Sequence, residues 1–449
     1  MNGRLFGTDG MRGLAFEPPL DRGTVMRLGS VLAAHLTAAG RPEHVLLAGD
    51  TRESTPHLAS WLGGAFAAAG GEVEWVGVLP TPAVSHLVRS LRGYGAGVVV
   101  SASHNPAPDN GIKLVGPEGM KWPVAEEMML EARLEARPEV PACEPMSAPS
   151  RSMDAEYLEV LRRTLEPDCL TGLRVVVDAA NGAGSTLAAR LLGELGAVVT
   201  EIHGEPDGVN INDGCGALHP EELAAEVVRR GADAGVALDG DADRAVLVDA
   251  GGRVLDGDNV LLAWGRHLAA TGSLPGRTIV ATVMSNLGLS VALDRDDIRV
   301  VQCPVGDREV WEAMGREGAV LGGEQSGHVI CSHHAVTGDG LLTAAHLLAI
   351  ARRSGRALGA LAEFERFPQV LLNVPVGVRR PLEEIPSVVE AIRHAEAELG
   401  RTGRVFVRYS GTEPLLRVMV EAASVTTARS TAEHLAALAH EALAAPPGS

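Results

Sequence analysis

The sequence predicts an α/β protein: three similar α/β domains, followed by a smaller α+β domain. Three observations carry this. Short Val-rich apolar runs alternate with Ala/Leu-rich helical stretches, the signature of βαβ units and parallel pairing. Three strand ends, at 98–105, 175–182 and 279–286, look alike: each is an apolar run breaking into a small polar loop. After residue 366 the pattern changes to strands and helices that do not alternate in the same way.

Taken in order, residues 45–48, 97–100, 174–177, 234–238 and 278–282 read as buried strands, because they are short, apolar and bounded by Gly, Asn or Asp. Residues 24–39, 55–69, 185–195 and 220–230 have helical spacing. The tail reads as strand 369–376, helix 387–399, strand 404–408, strand 416–421 and helix 428–444. The Pro/Ala/Ser-rich stretch 138–150, the turn at 251–252 and Phe367-Pro368 are candidate linkers. The expected domains are therefore 1–150, 151–251, 252–366 and 367–449, which suits a chain of 449 residues at roughly 100–200 per domain. Taking the similar strand ends as equivalent positions of the three domains follows from this.

Hydrophobic residues make up 46% of the chain and aromatics 3%, with 53 glycines, a balance for Ala/Val/Leu cores and many tight turns. A formal net charge of -18 repels polyphosphate chains, so neither nucleic acid nor an anionic membrane is an expected partner. A small anion is bound only where basic groups converge. The five cysteines, at 143, 169, 215, 303 and 331, are scattered and lack Cys-x-x-Cys spacing. That pattern argues against a disulfide framework or a zinc site and for a reducing compartment. No apolar signal segment opens the chain and no run of about 18 apolar residues occurs, so a cytoplasmic protein is expected. Of 39 basic residues only Lys113 and Lys121 are lysines. Coding bias explains the arginines. A lysine kept where arginine is the default suggests a need for a side chain that can give up its proton.

Five segments carry chemistry. Ser101-Ala-Ser-His-Asn-Pro106 follows the strand 97–100, at a carboxyl end where parallel sheets place ligands, and reads otherwise as a capped turn. Asp109-Asn-Gly-Ile-Lys113 behind it reads as a turn that swings Lys113 back to this loop. Asp239-Gly-Asp-Ala-Asp-Arg244 sets three carboxylates at a period of two, which aims them one way. Oxygen-only donors of like charge call for magnesium or calcium; the ligands are too few for a calcium cage, so magnesium completed by water and a phosphate oxygen fits better than a solvated acidic turn. In Gly322-Gly-Glu-Gln-Ser-Gly-His328, Glu324, Ser326 and His328 share one face at the same period, suited to sugar hydroxyls or an amino group. Arg408-Tyr-Ser-Gly-Thr-Glu-Pro414, with Arg417, supplies hydroxyls, backbone N–H groups and guanidinium forks for an anion. Phe6-Gly-Thr-Asp-Gly-Met-Arg-Gly13 presents Arg12 from a glycine-rich loop.

Together, in order and spacing, these segments resemble the α-D-phosphohexomutase superfamily over essentially the whole chain. Glu205-Pro-Asp-Gly-Val-Asn-Ile-Asn-Asp-Gly214, Val305-Gly-Asp-Arg308 and Thr337-Gly-Asp-Gly340 look like its bacterial amino-sugar branch. The resemblance implies a phosphorylated serine at Ser103, with Ser101 the lesser candidate. It implies one Mg²⁺ held by Asp239, Asp241, Asp243 and the Ser103 phosphate. It further implies sugar contacts from Glu324, Ser326 and His328, and phosphate contacts from Arg408, Ser410, Gly411, Thr412 and Arg417. Arg12, His104, Lys113 and Arg244 fall in matching catalytic regions. Two positions depart from the pattern: Tyr409 where proline is common, and Glu309 where an aromatic is usual.

The implied reaction interconverts glucosamine 6-phosphate and glucosamine 1-phosphate through glucosamine 1,6-bisphosphate, for UDP-N-acetylglucosamine and cell-wall synthesis. The resemblance also implies three similar α/β domains with mixed sheets plus the smaller α+β C-terminal domain around a central cleft, over which the last domain closes to exclude water. The partner is then a small sugar phosphate, and a homodimer stays open. The alternatives are glucose or mannose phosphate substrates, a sugar-phosphate binding protein without turnover, and a magnesium phosphatase with an acidic nucleophile.

Overall fold

The computed structural model describes residues 5–7, 9–377, 380–410 and 415–443. They form two compact units. The first joins Met1–Met284 to Asp297–Glu363, and the second joins Ser285–Asp296 to Phe364–Ser449.

The first unit holds three sheets. The first is built from β1 (Met11–Leu14), β2 (His44–Gly49), β3 (Glu72–Val78), β4 (Ala96–Val100) and β5 (Asp109–Val115), in the order β1-β5-β4-β2-β3. The second contains β6 (Arg174–Asp178), β7 (Val198–Ile202), β8 (Ala234–Leu238), β9 (Ala245–Asp249) and β10 (Val254–Leu255), in the order β10-β9-β8-β6-β7. The third, β12-β11-β13-β14, uses β11 (Thr278–Thr282), β12 (Arg299–Cys303), β13 (Leu321–Gly323) and β14 (Val329–Cys331). Each is mixed, with one shared plan. A central strand runs parallel to both its neighbours, and the third strand turns back into an antiparallel fourth. The strands β4, β8 and β11 are buried along their whole length, which is why they read as unbroken apolar runs.

This plan corrects the equivalence drawn from sequence. The strands at 175 and 279 are both central strands, β6 and β11, but the one at 98 is a third strand, β4. Its counterparts are β8 and β13. Short buried strands of valine and alanine look alike wherever they stand in a sheet, so composition could not order them. The true equivalence is the loop between third and fourth strand: 101–108, 239–244 and 324–328.

Two further expectations change. Asp109–Val115 is a strand rather than a turn; Lys113 returns to the serine loop because β5 pairs antiparallel with β4, with Lys113 opposite Val99. The segment 324–328 is the tight turn of the β13–β14 hairpin, closed by Glu324 N–H donating to His328 O at 2.9 Å. Period-two facing therefore fails there: Glu324 and His328 are buried and Ser326 is exposed.

The second unit carries an antiparallel sheet of β15 (Gln369–Pro375), β16 (Gly403–Tyr409) and β17 (Leu415–Ala422), in the order β15-β17-β16. Helices Pro386–Leu399 and Val425–Leu443 complete its core with Val388, Leu399, Leu416, Val418, Leu435 and others. The helix Leu287–Asp294, which lies between β11 and β12 in the chain, groups with this unit. Buried Glu421 ties it there, accepting from Leu287 N–H and Asn286 Nδ2, each at 3.1 Å, and from Arg404 Nε at 2.6 Å. Among the described residues no helix is long and apolar enough to cross a membrane.

Candidate active site

The three equivalent loops of the first unit meet. Ser103, at a backbone φ of 54°, is buried, and its Oγ donates to Asp239 Oδ2 at 2.7 Å. Ser101, the other serine, is buried and accepts from Ser103 N–H at 2.9 Å, so it props the loop. His104 Nδ1 stands 3.3 Å from Ser103 Oγ. Burial, with Arg244 and Arg12 nearby, pushes the His104 imidazole down to about 4, so it is neutral at pH 7.

The loop's strained backbone is held from both sides. Arg52 Nη2 donates to Ser103 O at 3.2 Å and to Asn105 O at 2.6 Å. Asn212 Nδ2 donates to the same two carbonyls, at 2.9 and 3.0 Å. Arg52 is itself buried and paired with Asp50 at the end of β2. Gly240 lets the two loops touch: a Cβ there would lie 2.6 Å from Ser103 O and 2.8 Å from Asn212 Nδ2. Sequence reading gave Asp50, Arg52 and Asn212 no role. A charged pair just beyond a buried parallel strand was the available signal for the first two.

Asp239, Asp241 and Asp243 are buried in the β8–β9 loop, each offering an oxygen within 4.8 Å of the others'. Burial, with Asp243 and Asp241 alongside, pushes the Asp239 carboxyl up. Burial opposes ionisation of Asp243 as well, but His328, Lys113 and Arg244 hold it well below the usual carboxylate range. Asp241 Oδ2 accepts from Lys113 Nζ at 2.8 Å and from Thr81 Oγ1. Asp241 Oδ1 and Asp243 Oδ1 are buried with no hydrogen-bond partner. Hard oxygen donors, like charge and two orphaned oxygens fit a magnesium ion.

Lys113 does not behave as its retention suggested. Burial favours loss of its proton, but Asp241 at 2.8 Å, Asp9 at 3.1 Å and Asp243 at 3.9 Å outweigh that and raise its pKa. Lys121 is likewise raised, between Asp9 and Asp307. Both serve as compact permanent cations. Asp9, which also pairs with Arg12, joins the two lysines to the glycine-rich loop.

Around the third loop, His328 Nδ1 stands 3.6 Å from Asp243 Oδ2 and its Nε2 accepts from Gly338 N–H at 3.1 Å. Glu324 accepts from Gly306 N–H at 3.1 Å, which brings the 305–308 segment to this loop. Arg244, largely buried, lies 3.7 Å from Asp243, and the Arg244 segment is fixed by Gly340, whose N–H donates to Ala242 O at 2.9 Å. Glu309 is half-buried in the first turn of the helix Asp307–Glu317.

In the second unit, Arg408 of β16 faces Arg417 of β17 directly across the ladder. Buried Ser410 N–H donates to Leu415 O at 2.8 Å, while Gly411 and Thr412 lie outside the described residues. Tyr409 donates to Arg380 O at 2.6 Å, a tie that proline there would lack.

The chain is similar to known proteins along nearly its whole length. It matches four domain families in sequence order, all described as phosphoglucomutase/phosphomannomutase. These are alpha/beta/alpha domain I over residues 3–140, domain II over 155–252, domain III over 256–367 and the C-terminal domain over 371–438. The chain belongs to the phosphoglucomutase/phosphomannomutase family. It is thus a phosphosugar mutase with three α/β domains and a C-terminal domain. Relatives named phosphoglucosamine mutase include those of Salinispora tropica, 47% identical over 97% of this chain and 98% of the relative, and of Solibacter usitatus, 46% identical over 96% and 97%. Among solved structures, a phosphoglucomutase/phosphomannomutase family protein from Burkholderia thailandensis aligns with a TM-score of 0.81, at 25% identity over 99% of this chain and 98% of that one. The N-acetylphosphoglucosamine mutase of Aspergillus fumigatus, solved with GlcNAc-6P and magnesium, shares the fold at a TM-score of 0.64 and 18% identity, over 98% of this chain and 96% of that one.

Proposed function

We propose that this mutase interconverts glucosamine 6-phosphate and glucosamine 1-phosphate, using a phosphoryl group carried on Ser103. The observation that carries this reading is the buried Ser103 hydroxyl on Asp239, beside the other two carboxylates. The names of relatives matched end to end supply the amino sugar.

In the first half-reaction the P–O bond to Ser103 Oγ breaks and one forms to the sugar O1 oxygen. The O1 proton leaves, and Ser103 Oγ takes one up. The product is the 1,6-bisphosphate. In the second half the P–O bond to O6 breaks and one forms to Ser103 Oγ, which gives up its proton while O6 takes one up, leaving the 1-phosphate. Lys113 and Arg244 hold positive charge beside the carboxylates and near the transferring group. His104, neutral and 3.3 Å from Ser103 Oγ, takes the proton that this oxygen sheds when the phosphoryl group returns and gives it back when the group leaves. Asp239, Asp241 and Asp243 would hold Mg²⁺, which supplies Lewis-acid neutralisation of phosphoryl oxygen charge. Glu324, Ser326 and His328 are assigned to the sugar. Arg408, Ser410, Gly411, Thr412 and Arg417 are assigned to the phosphate that is not reacting, and Arg12 to the catalytic loop. The same reading divides the chain at 150, 251 and 366.

The test compares glucosamine 6-phosphate, glucose 1-phosphate and mannose 1-phosphate side by side, with Mg²⁺ and a trace of each bisphosphate. A large kcat/KM advantage for the amino sugar is expected; equal or better turnover of the others overturns the substrate. Ser103→Ala is expected to abolish mutase activity, and near-normal turnover in that variant overturns the serine assignment.

A further inference from the structure

A second group of side chains of metal-ligating types lies in the first unit and shares no residue with the acidic triad. Asp178 ends β6 and is fully buried, accepting from Ala180 N–H and Gly216 N–H, each at 2.9 Å. His203 Nδ1 stands 3.2 Å from Asp178 Oδ2. Cys215 is a buried free thiol. One donor atom from each of the three lies within 4.8 Å of the others.

Two features point to a cation among them. His203 Nδ1 is buried yet has no hydrogen-bond partner, although a carboxylate oxygen is close by. On its other side, His203 Nε2 faces Glu222 Oε2 at 3.4 Å. A proton on Nε2, shared with Glu222, leaves the Nδ1 lone pair turned at Asp178 Oδ2. In that tautomer two lone pairs face each other, an arrangement that a cation between them relieves. An imidazole that ligates through one nitrogen while a carboxylate orients the other is a recurrent arrangement in zinc proteins.

We propose that Asp178, His203 and Cys215 bind a borderline-soft divalent cation of the zinc type. Sulfur and imidazole nitrogen select such an ion over magnesium, the reverse of the all-oxygen triad. Binding requires the Cys215 thiol to release its proton to solvent. Asp178 and the thiolate then balance the dication. Burial, with Asp178, Asp213 and Glu222 nearby, pushes the free thiol up to about 12, and burial raises Asp178; a dication between them removes both penalties. The ion fastens the segment 203–216 to the end of β6. That segment carries Asn212, whose amide holds the Ser103 and Asn105 carbonyls. Absence of Cys-x-x-Cys spacing concealed the group, because its members come from three separate segments.

The test uses the full chain in excess Mg²⁺, titrated with Co²⁺ and followed by absorption and by metal analysis. One cobalt per chain and a thiolate-to-cobalt charge-transfer band are expected. Cys215→Ser and His203→Asn are expected to lose the band and to weaken cobalt binding at least about tenfold. Asparagine suits position 203 because the backbone there has a φ of 47°, a conformation asparagine tolerates, so this variant decides the matter if Cys215→Ser does not fold. Asp241→Asn is expected to keep both band and stoichiometry, which separates this site from the magnesium triad. A wild-type protein without the band, a band that survives Cys215→Ser in folded protein, or one lost in Asp241→Asn overturns the proposal.

Discussion

Ser103 sits in a left-handed backbone conformation that costs a non-glycine residue roughly 1–3 kcal/mol. Arg52 and Asn212 hold it there by donating to the same two carbonyls. Lysine cannot reproduce this, since one ammonium cannot pair with Asp50 and also reach Ser103 O and Asn105 O in the plane of a guanidinium. Arg52→Lys and Asn212→Ala are therefore expected to lower kcat by on the order of 10–100-fold, through misplacement of Ser103 Oγ, while KM moves little. Steady-state kinetics of both variants check this; an unchanged kcat in both refutes the positioning role. The lysines carry a related lesson. Arginine's dominance made Lys113 and Lys121 conspicuous, but carboxylates on several segments set their charge, and no local sequence pattern reports that.

Secondary elements bring these residues to one place. The turns after β4, β8 and β13 occupy the same position of the same sheet plan, so three repeats deliver serine, carboxylates and glutamate together. Helix Gly340–Ser354 starts at Asp339, which caps Leu342 N–H at 2.9 Å and accepts from Tyr157 at 3.0 Å, with His86 3.2 Å away. One cap thus joins elements from distant parts of the first unit. Close approach of elements also fixes small residues. Helices Arg22–Ala38 and Thr55–Ala68 cross at Gly29, where a Cβ would meet Leu62 O at 2.2 Å. Alanine there gains about 1 kcal/mol of helix propensity. The collision with backbone outweighs it, so Gly29→Ala is expected to lower Tm; thermal unfolding showing a higher Tm would contradict this packing.

At the scale of the molecule, acid should destabilise the first unit through buried histidines. His346 stacks on Trp264 at 5.2 Å and on His334 at 4.4 Å. Burial first, then His334, His267 and Arg353, pushes it from 6.5 to about 3. The folded-state pKa is depressed, so between those values the unfolded chain takes up a proton that the folded chain refuses. Stability is complete above pH 6.5 and declines as pH falls toward 3, by at most about 5 kcal/mol from this group. His346→Phe keeps a ring in the stack and removes the titration. Melting curves from pH 7 to pH 5 should show a flatter decline in this variant than in the parent, and parallel declines would exclude His346 as a source.

The order and type of the buried elements were legible in sequence, because strands covered on both faces must be short apolar runs. Five candidate segments stood out in the sequence too, since like-charged or hydroxyl residues packed between glycines are seldom needed for folding alone. Through their resemblance to a family, they implied the enzyme class. Tertiary structure alone decided which strands correspond, that Ser326 is exposed while Glu324 and His328 are buried, that Lys113 stays charged, and that Arg52 and Asn212 grip the serine loop. Each of these depends on residues far apart in the chain. Burial, field and hydrogen-bond partner are properties of a place in space, and spacing along a sequence records them only when one local element supplies the whole arrangement.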